Sequence, residues 1–507
     1  MKPSWLQQLM AHHFSLLFLF CMFLLLLLLL QVIRFYQKRR WLIRVVHRFP
    51  GPPAHWFYGH TEFYPEKEYE KYTELMEKYP RAFPLWIGPF TMFFIIHDPE
   101  YAKTLLNRKD TKTTIFHKIA ESWIGRGLVT LDGSKWQQHR QIVKPGFSIS
   151  TLKIFITLMN QSVRLMLDKW EKLIAQDPHL EITEHVCLMT LDSIMKCAFN
   201  QDNTQKNRTL DSYLEAALNC AKCSIWRANN FLYHNDQIFK FSSQGQIFNK
   251  FCQVIQQHTD KLIQDRKKSL KNKLKQDTTQ KKYQDFLDIL LRAKDEHREH
   301  FSEEDIRAEV KTFMFAGHDT TSSAISWILY CLGKNPVHQQ RCRDEIRELL
   351  GDGSAITWEH LSQMPYTTMC IKECLRLYPP GATIARMLNK PVTFPDGRSL
   401  PAGITVLLNI WAIHHNPTIW EDPEVFNPLR FSKENSDQRH SHAFIPFSAG
   451  SRNCIGQQFA MIECKVALAL TLLRFEVAVD HSRPPIPIRR VVLKSKNGIH
   501  VLLKKIC

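Results

Sequence analysis

Hydrophobic residues are distributed very unevenly along this chain. From Phe14 to Ile33 they run almost unbroken, interrupted only by Ser15 and Gln31, and Leu24 to Leu30 is continuous leucine. As a helix rising about 1.5 Å per residue, the run covers about 30 Å, the thickness of a bilayer's hydrocarbon core. A cleaved signal would be shorter and would end in small residues, whereas this run is followed directly by Arg34, Lys38, Arg39, Arg40 and Arg44. The pattern predicts a retained anchor. Positive charge gathers behind the span, which predicts a lumenal terminus over 1–13, a transmembrane segment over 14–33 and cytosolic residues thereafter. Residues 34–53 form a basic collar and a hinge ending in Phe49-Pro50-Gly51-Pro52-Pro53, stiff enough to fix how the following part sits on the membrane.

Residues 54–507 show no internal repeat and no long Gly/Ser linker, so a single large domain is expected. Its periodic stretches are mostly helical. Ser302-Glu303-Glu304-Asp305 resembles a capping box, and an apolar-rich pattern continues to Gly333 before Asn335-Pro336 stops it. That predicts a long buried helix with one polar interruption, Gly317-His318-Asp319-Thr320-Thr321, and buried polar groups in mid-helix need a reason. A second helix is predicted from Tyr366 to Leu377, ended by Pro379-Pro380. A hairpin about Asp396-Gly397 and a strand from Thr405 to Leu408 add a minor β portion. The fold class expected is mainly α with small β-sheets.

Composition narrows the function less than the pattern does. A chain of 507 residues that is 44% hydrophobic is neither disordered nor collagen-like, and its net charge of +18 implies an acidic partner of some kind. The 13 cysteines are scattered and odd in number, which excludes a disulfide scaffold. Cys220 and Cys223 form a lone CxxC and read as ordinary helix thiols. Lysines and arginines cluster between Arg266 and Lys282 without interleaved aromatics, so a solvated loop is expected there and nucleic-acid binding is not. The sequons Asn160-Gln161-Ser162 and Asn207-Arg208-Thr209 are expected to stay bare on the cytosolic side.

The chemistry concentrates in Phe447-Ser448-Ala449-Gly450-Ser451-Arg452-Asn453-Cys454-Ile455-Gly456. A helical, apolar-rich run follows Cys454, and a helix N-terminus there favours thiolate over thiol. Gly450 and Gly456 leave space for a flat cofactor, Arg452 supplies a cation for a carboxylate, and Phe447 shields the sulfur. Glu373 and Arg376, at i and i+3, can pair on one helix face.

These residues resemble the signatures of the cytochromes P-450. Phe447 to Gly456 is similar to the haem-ligand loop, with Cys454 the axial thiolate. Ala316-Gly317-His318-Asp319-Thr320-Thr321 resembles the oxygen-activation motif, Glu373-Cys374-Leu375-Arg376 the ExxR, and Phe426 to Phe431 the segment whose arginine, here Arg430, joins that pair. Trp136-Gln137-Gln138-His139-Arg140 is similar to the WxxxR whose indole and guanidinium hold a haem propionate, and Arg386 matches a further propionate partner. Trp123 to Leu128, Phe313 to Thr321 and Tyr366 to Pro380 resemble family 4, the fatty-acid hydroxylase branch, with subfamily X as the expected nearest group. Many members of that branch carry a glutamate that becomes ester-linked to the haem. Here the position is Ala316, so haem b is expected to be noncovalent.

The resemblance implies a membrane-anchored monooxygenase of the endoplasmic reticulum that acts on fatty acids or their derivatives by hydroxylation or epoxidation. Thiolate ligation favours O–O cleavage. Asp319 and Thr320 would deliver protons, Gly317 would leave room for oxygen beside the helix, and no nicotinamide site exists in the chain itself. Electrons would come from NADPH through the cytochrome P-450 reductase, in some members assisted by cytochrome b5. Hydrophobic substrate would enter from the bilayer, past segments near Thr113 to Thr130 and Asp211 to Phe241. The competing readings are a haem-thiolate isomerase of lipid peroxides, against which the intact Asp319-Thr320 pair argues, and a noncatalytic haem- or lipid-binding membrane protein.

Overall fold

The capping box is formed as expected. Ser302 Oγ accepts from the Asp305 N–H at 3.2 Å, and the Asp305 carboxylate accepts from the Ser302 N–H at 2.9 Å. From that start the central helix runs Glu303–Lys334, about 48 Å, and stops at Asn335 before Pro336. It is buried almost throughout, packed between the helices Thr183–Phe199 and Gln457–Arg474 and against Pro365–Leu377 and Phe475–Val479. This computed structural model describes residues 5–60, 67–89, 91–112, 114–201, 207–274, 285–296, 301–351 and 355–506.

The β portion is small and lies to one side. A four-stranded sheet has the order Ala82–Ile87, Thr91–Ile96, Thr405–Asn409, Thr383–Met387. The first pair is an antiparallel hairpin with Ala82 opposite Ile96. The middle pair is parallel with Phe93 opposite Thr405, and the last is antiparallel with Thr383 opposite Asn409. A three-stranded sheet joins His179–Glu181, His500–Lys505 and Phe475–Val479. The expected hairpin pairs Val392 with Leu400 and Thr393 with Ser399, and Gly397 takes the positive φ of 80° that its turn requires.

The main hydrophobic core surrounds the central helix, and a second cluster fills the opposite face of the four-stranded sheet. The end of the N-terminal helix enters that second cluster. That helix is continuous over Trp5–Val46, so the basic collar is not a separate segment but the same helix carried past the apolar run. Leu42, Val46 and Phe49 are buried with Trp86, Phe94 and Phe394, and Arg39 donates to the Pro89 carbonyl at 2.6 Å while lying over Trp86. Docking of this helix therefore begins about ten residues before the Pro-rich hinge (Arg39 to Phe49), because its last turns carry the apolar contacts. Upstream, Phe14 to Ile33 is exposed along its length, and this helix is long and apolar enough to cross a membrane.

Candidate active site

The loop from Phe447 to Gly456 is closed by its own backbone, with the Cys454 N–H donating to the Phe447 carbonyl at 3.0 Å. Its glycines have different causes. Gly450 sits at φ +74°, and a Cβ there would lie 2.3 Å from the carbonyl oxygen of Leu106. A close backbone contact therefore demands this glycine, in place of the cofactor contact expected from sequence. At Gly456 a Cβ would meet the Cys454 sulfur and the Phe147 ring at an ordinary 3.9 Å, and the helix Gln457–Arg474 begins immediately after. Burial pushes the Cys454 thiol up, against the opposing pull of the Gly456 N–H, Arg140 and Lys112. The expected thiolate bias of the helix terminus is thus outweighed by burial, and metal ligation is what would deprotonate this sulfur. Cys454 is nevertheless exposed by area, so the accessible face of its side chain opens on a cleft inside the protein. Phe447 is half-buried beside it in the loop.

Cations converge next to this loop. On the helix Gly133–Val143, Trp136 and Arg140 lie one turn apart, and Arg140 donates to the Asn453 carbonyl at 2.9 Å and to its side-chain oxygen at 3.0 Å. That ties the helix to the residue preceding Cys454. Arg452 stacks over Trp136, 4.0 Å from the ring centroid, and donates to the Leu131 carbonyl at 2.6 Å and the Asp132 carboxylate at 2.9 Å. Arg386 is buried on the strand Thr383–Met387, and burial, then Arg452, pushes it down to about 10. Lys112 joins them, although no motif marked it: burial, then repulsion from Arg386 and Arg452, drives its ammonium down to about 7.

Four cations thus share one region with Asp132, while the neighbouring Asp110 is held by Arg108 at 2.5 Å. Arg452 Nε is buried without a hydrogen-bond partner. This excess of positive charge beside an inward-facing thiol fits a flat, iron-bearing cofactor that carries two carboxylates, and the residues present therefore fit haem b.

The central helix passes with one open face. Between Lys311 and Leu329 every residue is buried except Ala316, Gly317 and Thr320, which are half-open and lie at i, i+1 and i+4. Gly317 has a packing cause: a Cβ there would come within 2.9 Å of Ile194, so it lets the helix Thr183–Phe199 approach. The room for oxygen expected of Gly317 is not in the direction of its missing Cβ. Thr320 donates to the Ala316 carbonyl at 2.8 Å, the local bond through which an alcohol bends a helix. Asp319 is buried and turned off the open face, with its Oδ1 2.6 Å from Lys494 Nζ. Cys187, His318 and Asp319 hold donor atoms within 4.8 Å of one another, but the Lys494 ammonium already sits where a metal cation would bind.

Glu373 and Arg376 face each other through two hydrogen bonds of 2.8 Å, both side chains fully buried. Arg430 approaches Glu373 at 3.5 Å, and the Asn427 N–H donates to the same carboxylate at 2.9 Å. Arg376 also donates to the His414 carbonyl at 2.8 Å, which links this helix to the segment leading into the cysteine loop.

Other sequence features resolve more plainly. Cys220 faces Cys252 of the neighbouring helix at 3.9 Å, and every described cysteine is free. The expected basic loop begins as the end of the helix Ser243–Leu274, where Arg266 pairs with Asp285 and Asp288 and Lys267 with Glu303. These charges serve internal packing, while Lys275, Lys281 and Lys282 lie outside the described residues, as does Thr113 at the head of the expected substrate segment.

Comparison with known proteins agrees with the site. The protein family described as Cytochrome P-450 matches residues 49–502. Cytochrome P-450 4Z1 of Homo sapiens is 73% identical over the full length of both chains. Cytochrome P-450 4X1 of Homo sapiens is 55% identical over 100% of this chain and 99% of that protein. Cytochrome P-450 4A12 of Rattus norvegicus is 51% identical over 93% of each. Family 4 therefore stands, and the expected placement in subfamily X gives way, since 4Z1 exceeds 4X1 by a wide margin. The motifs used are shared across the branch and resolve the family, not the subfamily.

Proposed function

The chain belongs to the cytochrome P-450 family, within family 4, and is a monooxygenase; from that premise we propose that it inserts one oxygen atom of O2 into fatty acids or fatty-acid derivatives, driven by NADPH through a reductase. The observation that carries this reading is the inward-facing Cys454 set beside Arg140 and beside Lys112, Arg386 and Arg452, the last three sharing the Asp132 carboxylate. When bound through a thiolate, haem b supplies oxygen activation, as in cytochromes P-450 generally.

The chain's own residues do the rest. Cys454 would ligate the iron through its sulfur. Trp136 with Arg140, Arg386, Arg452 and Lys112 would hold the propionates, each charge-assisted contact offsetting a cation that burial otherwise disfavours. Ala316 offers only a methyl to the open face of the central helix, so the cofactor would be held there without an ester bond. Thr320 keeps lone pairs free to accept a hydrogen bond on that face, and by releasing Ala316 it can pass a proton on. Asp319, one residue earlier, is the acid that resupplies it. Glu373, Arg376 and Arg430 fix the position of the cysteine loop and touch no reactant.

The apolar N-terminal helix followed by a basic collar supports a single-pass anchor, with 1–13 in the lumen of the endoplasmic reticulum, 14–33 in the bilayer and the domain from 54 onward in the cytosol. A basic chain on that side suits a reductase, or a cytochrome b5, with an acidic docking face. The deciding experiment is turnover of saturated and polyunsaturated fatty acids and their amides by the purified protein with reductase, NADPH and isotopically labelled O2. One labelled oxygen atom in a lipid product is expected. Reduction of the haem with no label in any lipid would overturn the substrate class.

A further inference from the structure

Asp319 reaches the surface by a route unrelated to the open face of its helix. A cavity of about 570 Å³ lies between the helices Thr183–Phe199 and Asn207–Asn229 and the C-terminal segment from Arg490 to His500. Asp319 and Lys494 lie in its buried wall, and the exposed carboxylates Glu184, Asp211 and Glu215 line its outer part. The cavity therefore runs from solvated, mostly acidic side chains, with Arg490 and His500 also at its wall, down to one buried carboxylate.

That carboxylate is held by Lys494. Besides the 2.6 Å approach to Asp319 Oδ1, the Lys494 ammonium lies 3.4 Å from both the Asp319 carbonyl and Ser322 Oγ. Asp319 Oδ1 has no other partner among the described residues. The remaining titratable groups around Asp319 are His318, Cys187 and Tyr213, and burial keeps all three neutral, lowering the imidazole and raising the thiol and the phenol. Burial also disfavours the charge on Lys494, but the Asp319 carboxylate more than offsets it and leaves the lysine raised. A buried ion pair of this kind is weak evidence for stability, since apolar residues of similar volume serve a core as well or better. Here the pair stands between an aqueous cavity and the helix that carries Thr320.

We infer that Lys494 is a positioning residue that holds Asp319 toward this cavity, and that the cavity is the inlet through which protons reach Asp319 from solvent. The inference rests on reading Asp319 and Thr320 as the proton-delivering pair. A proton arriving through the inlet loosens Asp319 from Lys494, frees the carboxyl to turn toward the Thr320 side, and is handed on there; the ion pair then reforms with the next inward proton still in the cavity.

The test uses the full-length holoprotein with reductase and a substrate that it turns over. Lys494→Met, Lys494→Arg, Asp319→Asn and a plug of the inlet, Leu218→Trp, are compared for product and peroxide per NADPH and for the solvent deuterium isotope effect. Infrared difference spectra report whether Asp319 is ionised, and the reduced carbon monoxide spectrum reports an intact haem site. Lys494→Met is expected to raise the peroxide share severalfold, change the isotope effect and add a protonated-carboxyl band that disappears when Asp319→Asn is combined with it. Lys494→Arg should restore wild-type behaviour, and Leu218→Trp should uncouple without the new band. Wild-type coupling and isotope effect in Lys494→Met would overturn the inference; should that variant lose its haem, wild-type coupling in Leu218→Trp would do so instead. If Asp319→Asn itself couples normally, the reading of the Asp319–Thr320 pair fails. If Asp319→Asn uncouples while the other two do not, only the inlet and its lysine fall.

Discussion

Thr320 donates its hydroxyl hydrogen to the carbonyl oxygen of Ala316, 2.8 Å away and one turn back along the central helix. The alcohol proposed to relay protons is thus at rest in a bond that any helical threonine can make. What sets it apart is the half-open face it shares with Ala316 and Gly317 in an otherwise buried helix. Removing the hydroxyl leaves the helix able to form. Thr320→Ala should therefore keep a normal reduced carbon monoxide spectrum while product per NADPH falls about tenfold or more and peroxide rises, the scale expected for loss of a positioned proton donor. Thr320→Ser should retain most coupling. Equal coupling in wild type and Thr320→Ala would remove this residue from the relay.

The Glu373–Arg376 pair behaves differently, because both side chains are fully buried and bound on two sides. Glu373→Gln strands two guanidinium groups, at a cost of about 3–5 kcal/mol for a broken buried pair. The expected result is a fall in the haem-loaded fraction of expressed protein, measured by haem content per polypeptide, with unchanged coupling in whatever holoprotein forms. Arg376→Lys should fare little better, since an ammonium cannot reproduce the fork that also reaches His414.

The contrast between these two sites shows what the sequence made legible. Contiguous patterns were readable: the apolar N-terminal helix, the capping box at Ser302, the Glu373–Arg376 spacing, and a cysteine loop whose order of residues is nearly continuous. Residues brought together from distant segments were not. Lys112 stands in no motif, and only the fold sets it against Arg386 and Arg452. Lys494 lies 175 residues from Asp319 along the chain and gives no local sign of its partner. Glycines were legible as conspicuous but not as to cause, because Gly450 answers to Leu106 and Gly317 to Ile194, neither of them a sequence neighbour.

Ala316 bears on how the cofactor is held. It is half-open on the same face as Thr320, and its methyl has no group that can esterify. Acidified organic solvent should extract all the haem from the wild-type polypeptide. Ala316→Glu places a carboxyl on that face, and a fraction of haem that stays with the polypeptide after turnover is expected. Haem retained by the unsubstituted protein would show a covalent link through some other residue.

The two sequons do not test topology equally. Asn160 is buried within the helix Ile149–Ile174, and its amide donates to the carbonyls of Ile156 at 2.8 Å and Ile356 at 2.9 Å. Once folded, it cannot receive a glycan on either side of a membrane. Asn207, at the start of the helix Asn207–Asn229, is the informative site. No endoglycosidase-sensitive mass shift is expected in cells. A shift that disappears in Asn207→Gln would place the domain in the lumen and reverse the proposed orientation.

Glu463 predicts the pH dependence of stability. Both of its carboxylate oxygens are buried without a hydrogen-bond partner, on the helix that follows the cysteine loop. Burial drives its carboxyl up to about 8, with Ser193 opposing the shift. A carboxyl with a raised folded-state pKa is neutral in both folded and unfolded chains below about pH 4. Between that range and about pH 8 the unfolded chain gives up its proton while the folded one keeps it, so stability falls as pH rises through this window and levels off above it. Glu463→Gln keeps the shape of the neutral acid and removes the titration. The variant should match wild type near pH 4 and exceed it increasingly toward pH 8, by on the order of 1–3 kcal/mol, the scale for burying an unpaired polar group. Thermal melts of both proteins across that range measure the difference. A gap that stays constant with pH would mean that Glu463 is solvated or partnered in the native protein, and that its burial carries no proton-linked cost.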